Sequence, residues 1–250
     1  ANYYAELQRF DREVGALLER IAQAGELDNT IVVISGDHGW PFPRGKSHLY
    51  DAGSRVPLAI RWPGHLPAGS TSRLRITNLD FFPTLLELCG GRAEERELDG
   101  EDLSGQLSTP LETQESDRPL LWHFPAYLQA YKSEIDDGRD PLFRTRPATS
   151  LLKGPWKLLH FYEDDAFELY HLEEDLGERN NLADDHPERV VAMREEMNLL
   201  LKTHSLPIPT DPNPDYDPAV DHQQQHDVKL PVPPPSPTEE EWYRVLSFID

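Results

Sequence analysis

Thr30-Ile-Val-Val-Ile-Ser35 is the stretch that most constrains how this chain folds, because five of its six residues are β-branched and none is charged. Stiff χ1 angles favour extended backbone, and an apolar run without alternation predicts a strand buried on both faces. Upstream, Tyr4, Leu7, Phe10, Val14, Leu17, Leu18 and Ile21 recur at three- and four-residue spacing, which predicts an amphipathic helix over residues 3–24, ended by Gly25 and packed on a sheet. A helix followed by a buried strand indicates α/β architecture. Val56–Trp62 reads as a second strand, Pro63-Gly64 as a turn, and Leu79–Leu88 as a helix with Pro83 in its first turn.

The character changes from Pro119 onward. Residues 120–124, 148–152, 156–161 and 167–172 read as short strands joined by tight turns, an antiparallel sheet. A helix from Pro187 to Lys202, with Val190, Val191, Met193, Met197, Leu200 and Leu201, is expected to cover one face of it. Proline- and glutamine-rich sequence after His204, including Val232-Pro-Pro-Pro-Ser-Pro237, predicts an extended, wrapping tail. The expected division is an α/β core over residues 1–112, an antiparallel sheet plus helix over 113–204, and a tail over 205–250.

Charge and composition exclude several classes of partner. Twenty-four Lys+Arg against 45 Asp+Glu give a net charge of −21, which a phosphate backbone repels, so no nucleic-acid partner is expected. An anionic small molecule is not excluded, because a bound cation and a few basic side chains can dominate the field inside a cleft. No apolar run approaches the ~18 residues needed to span a bilayer. Residues 1–24 are too charged for a signal peptide, and a helix already under way at Ala1 reads as part of something longer. The lone cysteine, Cys89, leaves no intrachain disulfide and is expected to be packed at a helix end.

Chemistry concentrates in residues 36–57, a glycine- and proline-rich loop at the C-terminal end of the first strand, where open α/β sheets place ligands. It begins Ser35-Gly36-Asp37-His38-Gly39, whose adjacent carboxylate and imidazole can offer oxygen and nitrogen to one point. On those residues alone, metal binding competes with a turn-opening Asp and a surface His. Further on stands Gly45-Lys46-Ser47-His48-Leu49-Tyr50-Asp51-Ala52-Gly53-Ser54-Arg55-Val56-Pro57.

Three ordered segments now carry a resemblance: Asp28 to Gly39, Gly45-Lys46 through Arg55-Val56-Pro57, and Asp80-Phe-Phe-Pro-Thr-Leu-Leu86. Together they resemble the C-terminal half of type I sulfatases of the alkaline-phosphatase superfamily. The match continues through Trp156-Lys-Leu158, Glu168-Leu-Tyr170 and Asn180-Asn-Leu-Ala183, and so covers residues 1 to about 202. Trp40 to Lys46 looks most like N-sulfoglucosamine sulfohydrolase-like members. The resemblance implies an alkaline-phosphatase-like sheet sandwich lacking its N-terminal part, with a smaller C-terminal α+β antiparallel-sheet subdomain. It also implies hydrolysis of a sulfuric ester or sulfamate by a formylglycine made within a Cys/Ser-x-Pro-x-Arg motif. That motif does not occur in this sequence, so the nucleophile is expected elsewhere and the 250 residues alone are expected to be inactive.

By the same resemblance Asp37 and His38 are two ligands of one divalent metal. Calcium is the first expectation, and manganese or zinc is admitted because many members have Asn where this chain has His38, and imidazole nitrogen suits those ions. Lys46 is expected to contact the sulfate and stabilise charge on its oxygens. His48 and His123 are the candidate substrate-binding residues, beside plainer roles as a loop polar group and a packed sheet histidine. Trp122 or Tyr127 could supply a stacking wall for a sugar ring. Arg55 is better suited to ordering the loop through a local carboxylate. A zinc phosphomonoester or phosphodiester hydrolase of the same superfamily is the rival reading, and a non-catalytic truncated paralogue is another; Gly45-Lys46 favours the sulfatase. The expected partner is a sulfated small molecule or glycan, and the compartment, by resemblance, periplasmic, secreted or lysosome-like.

Overall fold

A computed structural model describes residues 2–40, 44–93, 97–107, 117–129, 139, 143–211 and 213–217. Most of the expected tail, residues 218–250, lies outside them. The chain divides into two compact units, residues 1–35 with 58–116, and residues 36–57 with 117–250.

In the first unit, helix α1 spans Asn2–Gln23 and ends before Gly25, which adopts a left-handed φ of 78°. Strands β1 (Val32–Ser35) and β2 (Leu58–Arg61) pair antiparallel, with Val33 opposite Ile60. Helix α3 (Asn78–Leu88) starts with a capping box: Asp80 accepts the Thr77 N–H at 2.7 Å, and its other oxygen accepts the Glu101 N–H at 2.9 Å. An apolar cavity lined by Val33, Ile60, Phe81, Leu85 and Leu88 lies between the strand pair and α3.

Four expectations are corrected here. The β1 strand is not buried on both faces; Val32 and Val33 are half-buried and Ile34 is exposed, because a two-stranded pair has too little surface of its own to enclose. Among the described residues the α1 stripe packs on no sheet, and Tyr4 and Phe10 stand 70% and 55% exposed. A 3.6-residue period says which face is apolar and is silent about what covers it. Pro83 is the sixth residue of α3 rather than in its first turn; it cannot donate to the Leu79 carbonyl, and Gly100 packs against that carbonyl so closely that a Cβ there would sit 2.0 Å from it. Cys89 is exposed, at the C-cap of α3.

The second unit is built on a four-stranded antiparallel sheet in the order β3 (Leu120–Phe124), β6 (Ala148–Lys153), β7 (Trp156–Phe161), β8 (Ala166–His171). A short pair, β4 (Leu128–Gln129) and β5 (Phe143–Thr145), has no counterpart in the sequence pattern. A short helix, α2 (Asp51–Ser54), precedes the sheet in the chain. The first unit's short helix α4 (Ser104–Leu107) is followed by helix α5 (Pro187–Thr203), which covers one face of this sheet: Met193, Met197 and Leu201, four residues apart, meet Leu151, Leu158 and Leu169. Met197→Ala, which empties a fully buried site in this layer, is expected to cost about 3 kcal/mol of unfolding free energy, read as a lower urea midpoint at unchanged m-value; an unchanged midpoint would contradict the packing.

The alternate residues face the other way. Leu120, Ala148, Leu152, Leu159, Phe161, Tyr170 and Leu172 form a second layer, and Tyr50 with Leu49 of the loop packs into it. Residues 148–152 and 157–161 are therefore buried without alternation in an antiparallel sheet, because α5 covers one face and the loop the other.

Candidate active-site loop

Residues 36–40 and 44–57 fold back closely on themselves, and Gly39 and Gly53 are required there by close approach. Gly39 N–H donates to the Gly53 carbonyl at 2.9 Å, Lys46 N–H to Trp40 at 2.8 Å, and His48 N–H to Gly45 at 2.9 Å. A Cβ on Gly39 would stand 1.8 Å from the Ala52 carbonyl oxygen and 2.8 Å from Gly53 Cα. Gly39→Ala must therefore move backbone, and is expected to cost about 3 kcal/mol; chemical denaturation matching wild type would show the loop is looser than this.

Asp37 and His38 follow β1 directly. Asp37 is exposed, and His38 Nδ1 lies 2.7 Å from the Gly39 carbonyl oxygen. A carbonyl only accepts, so Nδ1 carries the proton and Nε2 offers its lone pair. That Nε2 is 3.5 Å from Asp37 Oδ2. A ligating histidine donates its second ring nitrogen to a backbone carbonyl in the same way, and the two donors are near enough for one cation to touch both, so the pair fits the implied metal. Among the described residues no third His, Cys, Asp or Glu joins them, so the two would supply only part of a coordination sphere.

Lys46 and His48, two residues apart, point to different environments. Lys46 is exposed, and among the described residues no carboxylate pairs with it. His48 is 8% exposed and lines a cleft with Tyr50, Arg139, Arg144, Thr145 and Arg146. Thr145 donates its hydroxyl to the Ser47 carbonyl between them, and Ser47 itself is in the left-handed region at φ 71°. Cationic side chains thus gather around this loop in a chain whose net charge is −21.

His123 is held elsewhere. Its Nε2 lies 2.8 Å from the Pro207 carbonyl and must donate, so Nδ1, 2.7 Å from Thr149 Oγ1, accepts the Thr149 hydroxyl proton, and Tyr162 in turn donates to Thr149. Both ring nitrogens are engaged in tying the segment after α5 to the sheet, which suits the packed-histidine role. Trp122 packs against the sheet's second layer, and Tyr127 lies 51% exposed against Phe143. Arg55 does what its sequence setting indicated, pairing with Asp51 Oδ2 at 2.6 Å.

What the pattern left unseen is a polar network beneath the loop. Glu178, 2% exposed, accepts the Asp51 N–H at 2.6 Å through Oε2, and its Oε1 is 3.2 Å from Nζ of the fully buried Lys157. Arg44 donates to the Glu178 carbonyl at 2.8 Å and stacks 3.5 Å over the Tyr50 ring. Tyr50 and Tyr170 both donate to Glu168 Oε2, at 2.8 and 2.9 Å. Burial, reinforced by that carboxylate, raises both phenol pKa values, so the two hydroxyls remain neutral donors. The one available signal was Lys157 itself, a charged residue between Trp156 and the apolar pair Leu158-Leu159.

The fold and this loop are those of sulfatases. The chain belongs to the sulfatase family, matched over residues 36–204 by the family model described as N-sulphoglucosamine sulphohydrolase, C-terminal. Among curated relatives, N-acetylglucosamine-6-O-sulfatase of Bacteroides thetaiotaomicron is 31% identical over 220 residues, 85% of this chain and 37% of that protein. Human N-sulphoglucosamine sulphohydrolase is 36% identical over 88 residues, 35% of this chain and 18% of that protein. A solved structure of a protein in complex with its substrate D-glucosamine-2-N,6-O-disulfate superposes with a TM-score of 0.62 at 27% identity, covering 82% of this chain and 40% of that one. The chain thus spans well under half the length of these relatives. No described helix is long and apolar enough to cross a membrane.

Proposed function

We propose that the protein to which this chain contributes is a metal-dependent sulfatase that releases sulfate from a sulfated amino sugar or glycan, as an O-sulfate ester or an N-sulfamate. The observation that carries the reading is the 36–57 loop, matched to the sulfohydrolase family and presenting a carboxylate, an imidazole nitrogen and an exposed ammonium within ten residues. Asp37 and His38 would hold one divalent cation, with calcium the first expectation and manganese or zinc suited to the imidazole. Such a cation, when bound, polarises the sulfate and lowers the pKa of a bound nucleophile. Lys46 stabilises the negative charge on the sulfate oxygens as the ester or sulfamate bond breaks. His48 orders the cleft beside it. The formylglycine nucleophile and the remaining metal ligands belong to the part of the sulfatase length that this chain does not span, and the amino-sugar substrate class is supported by the relatives that act on N- and 6-O-sulfated glucosamine.

Sulfate release from N-sulfated and 6-O-sulfated glucosamine by the intact protein tests the activity; turnover of a phosphate ester without either would favour the phosphatase reading. For the metal, Asp37→Ala is expected to weaken calcium, manganese or zinc binding by roughly tenfold or more in calorimetric titration. Unchanged affinity for all three ions would remove Asp37 from the ligand set.

A further inference from the structure

We infer that Glu178, paired with Lys157 of β7, is a positioning residue that holds the loop bearing Lys46 and His48 against the C-terminal sheet. The inference rests on the reading of Lys46 as the sulfate contact. Its basis is the placement of Glu178 contacts on both flanks of that contact. Arg44, two residues before Lys46, donates to the Glu178 carbonyl at 2.8 Å, and the Asp51 N–H, three residues after His48, donates to the Glu178 carboxylate at 2.6 Å. One residue brackets the segment from 44 to 51.

The anchor is rigid for identifiable reasons. Glu178 adopts a left-handed φ of 52°, which a non-glycine residue keeps only where its surroundings determine it. The Asp175 carboxylate accepts the N–H groups of Arg179 and Asn180 at 2.7 and 2.8 Å, and Asp175 itself offers its carbonyl to Glu178 N–H at 3.1 Å, so the turn carrying Glu178 is closed on itself. Lys157 lies on the loop-facing side of β7, opposite Tyr170 on β8, and its strand is paired on both edges. The ammonium is therefore fixed by the sheet, the carboxylate by the ammonium, and the loop by the carboxylate. A buried ion pair is a poor choice for stability alone, since apolar residues of similar volume commonly serve as well. What it supplies here is an acceptor of fixed direction for one loop amide.

The test separates the anchor from the charge. Glu178→Ala/Lys157→Met and Glu178→Gln/Lys157→Met both remove the buried ions, but only the second retains an acceptor for the Asp51 amide. In the intact protein, hydrogen exchange at the amides of Lys46, His48, Asp51, Gly53 and Arg55 is expected to speed by roughly tenfold or more in the alanine double variant. Leu158 and Leu159 amides should stay near wild type, and kcat for sulfate release should fall more than KM changes. The glutamine double variant is expected to restore both readouts. Arg44→Met gives a second line, with faster exchange at Lys46 and His48 alone. Equal loop exchange in the two double variants, or acceleration in β7 matching that of the loop, would overturn the positioning role, as would unchanged exchange in Arg44→Met if the alanine variant does not fold. Exchange is read without substrate, so a wild type that releases no sulfate would refute the sulfatase reading while leaving the anchor standing.

Discussion

Lys46→Ala in the intact protein is expected to lower kcat for sulfate release by roughly 10²–10³-fold, the loss typical when one preorganised charge-stabilising group is removed from an active site. The effect should be this large because Lys46 is a compact point charge on an exposed stem with no carboxylate partner among the described residues, so its field is not spent on the protein. Calorimetric affinity for the divalent cation should be unchanged, since Lys46 donates no lone pair. Steady-state kinetics with a sulfated glucosamine check the first statement, and a kcat within a few-fold of wild type would assign Lys46 to the solvated surface. Together with Asp37→Ala, this substitution separates the cation's contribution from that of the ammonium.

Lys157→Met as a single change is expected to cost about 3–5 kcal/mol, because it leaves the Glu178 carboxylate buried without its counter-charge. The cost should depend on pH. Burial already raises the Glu178 carboxyl above its ordinary value of 4.5, and the Asp51 carboxylate adds to the rise; the Lys157 ammonium, the Asp51 amide and the Arg44 guanidinium oppose it. Removing Lys157 deletes the largest opposing contribution and moves the carboxyl further up. A folded pKa above the unfolded one means that stability associated with the protonated group is present below the unfolded value and is lost as pH rises through the folded value. The deficit in Tm should therefore be smallest near pH 4.5 and widen toward neutrality. A deficit that is constant with pH would mean that Glu178 does not carry the cost, whereas its disappearance in Glu178→Gln/Lys157→Met would show that it does.

Several elements were legible because local chemistry decides them. The strands at 120–124, 148–153 and 156–161 sit where short runs between turn residues place them, the helix at 187–203 sits where its apolar period does, and α3 starts where Thr77 and Asp80 can close a capping box. Other features could not be read locally. The short β4–β5 pair has too few residues to show a period. The exposure of Cys89 depends on which face of a helix end meets another element. The engagement of His123 depends on a carbonyl 84 residues away.

The same division runs through the candidate site. Residue types and spacing by themselves marked residues 36–57 as the candidate loop, placed a carboxylate and an imidazole side by side at Asp37 and His38, and indicated that Arg55 would find a nearby carboxylate, since each of these follows from groups close together in the chain. Only the tertiary structure decided that the loop covers the second face of the C-terminal sheet, that Lys46 turns outward while His48 turns in, and that Lys157 and Glu178 meet beneath it. Those outcomes join residues distant in the chain, Arg44 and Glu178 by 134 positions and Asp51 and Glu178 by 127, or on separate elements such as Lys157 and Glu178, where burial and charge pairing act through space and leave no period in the sequence.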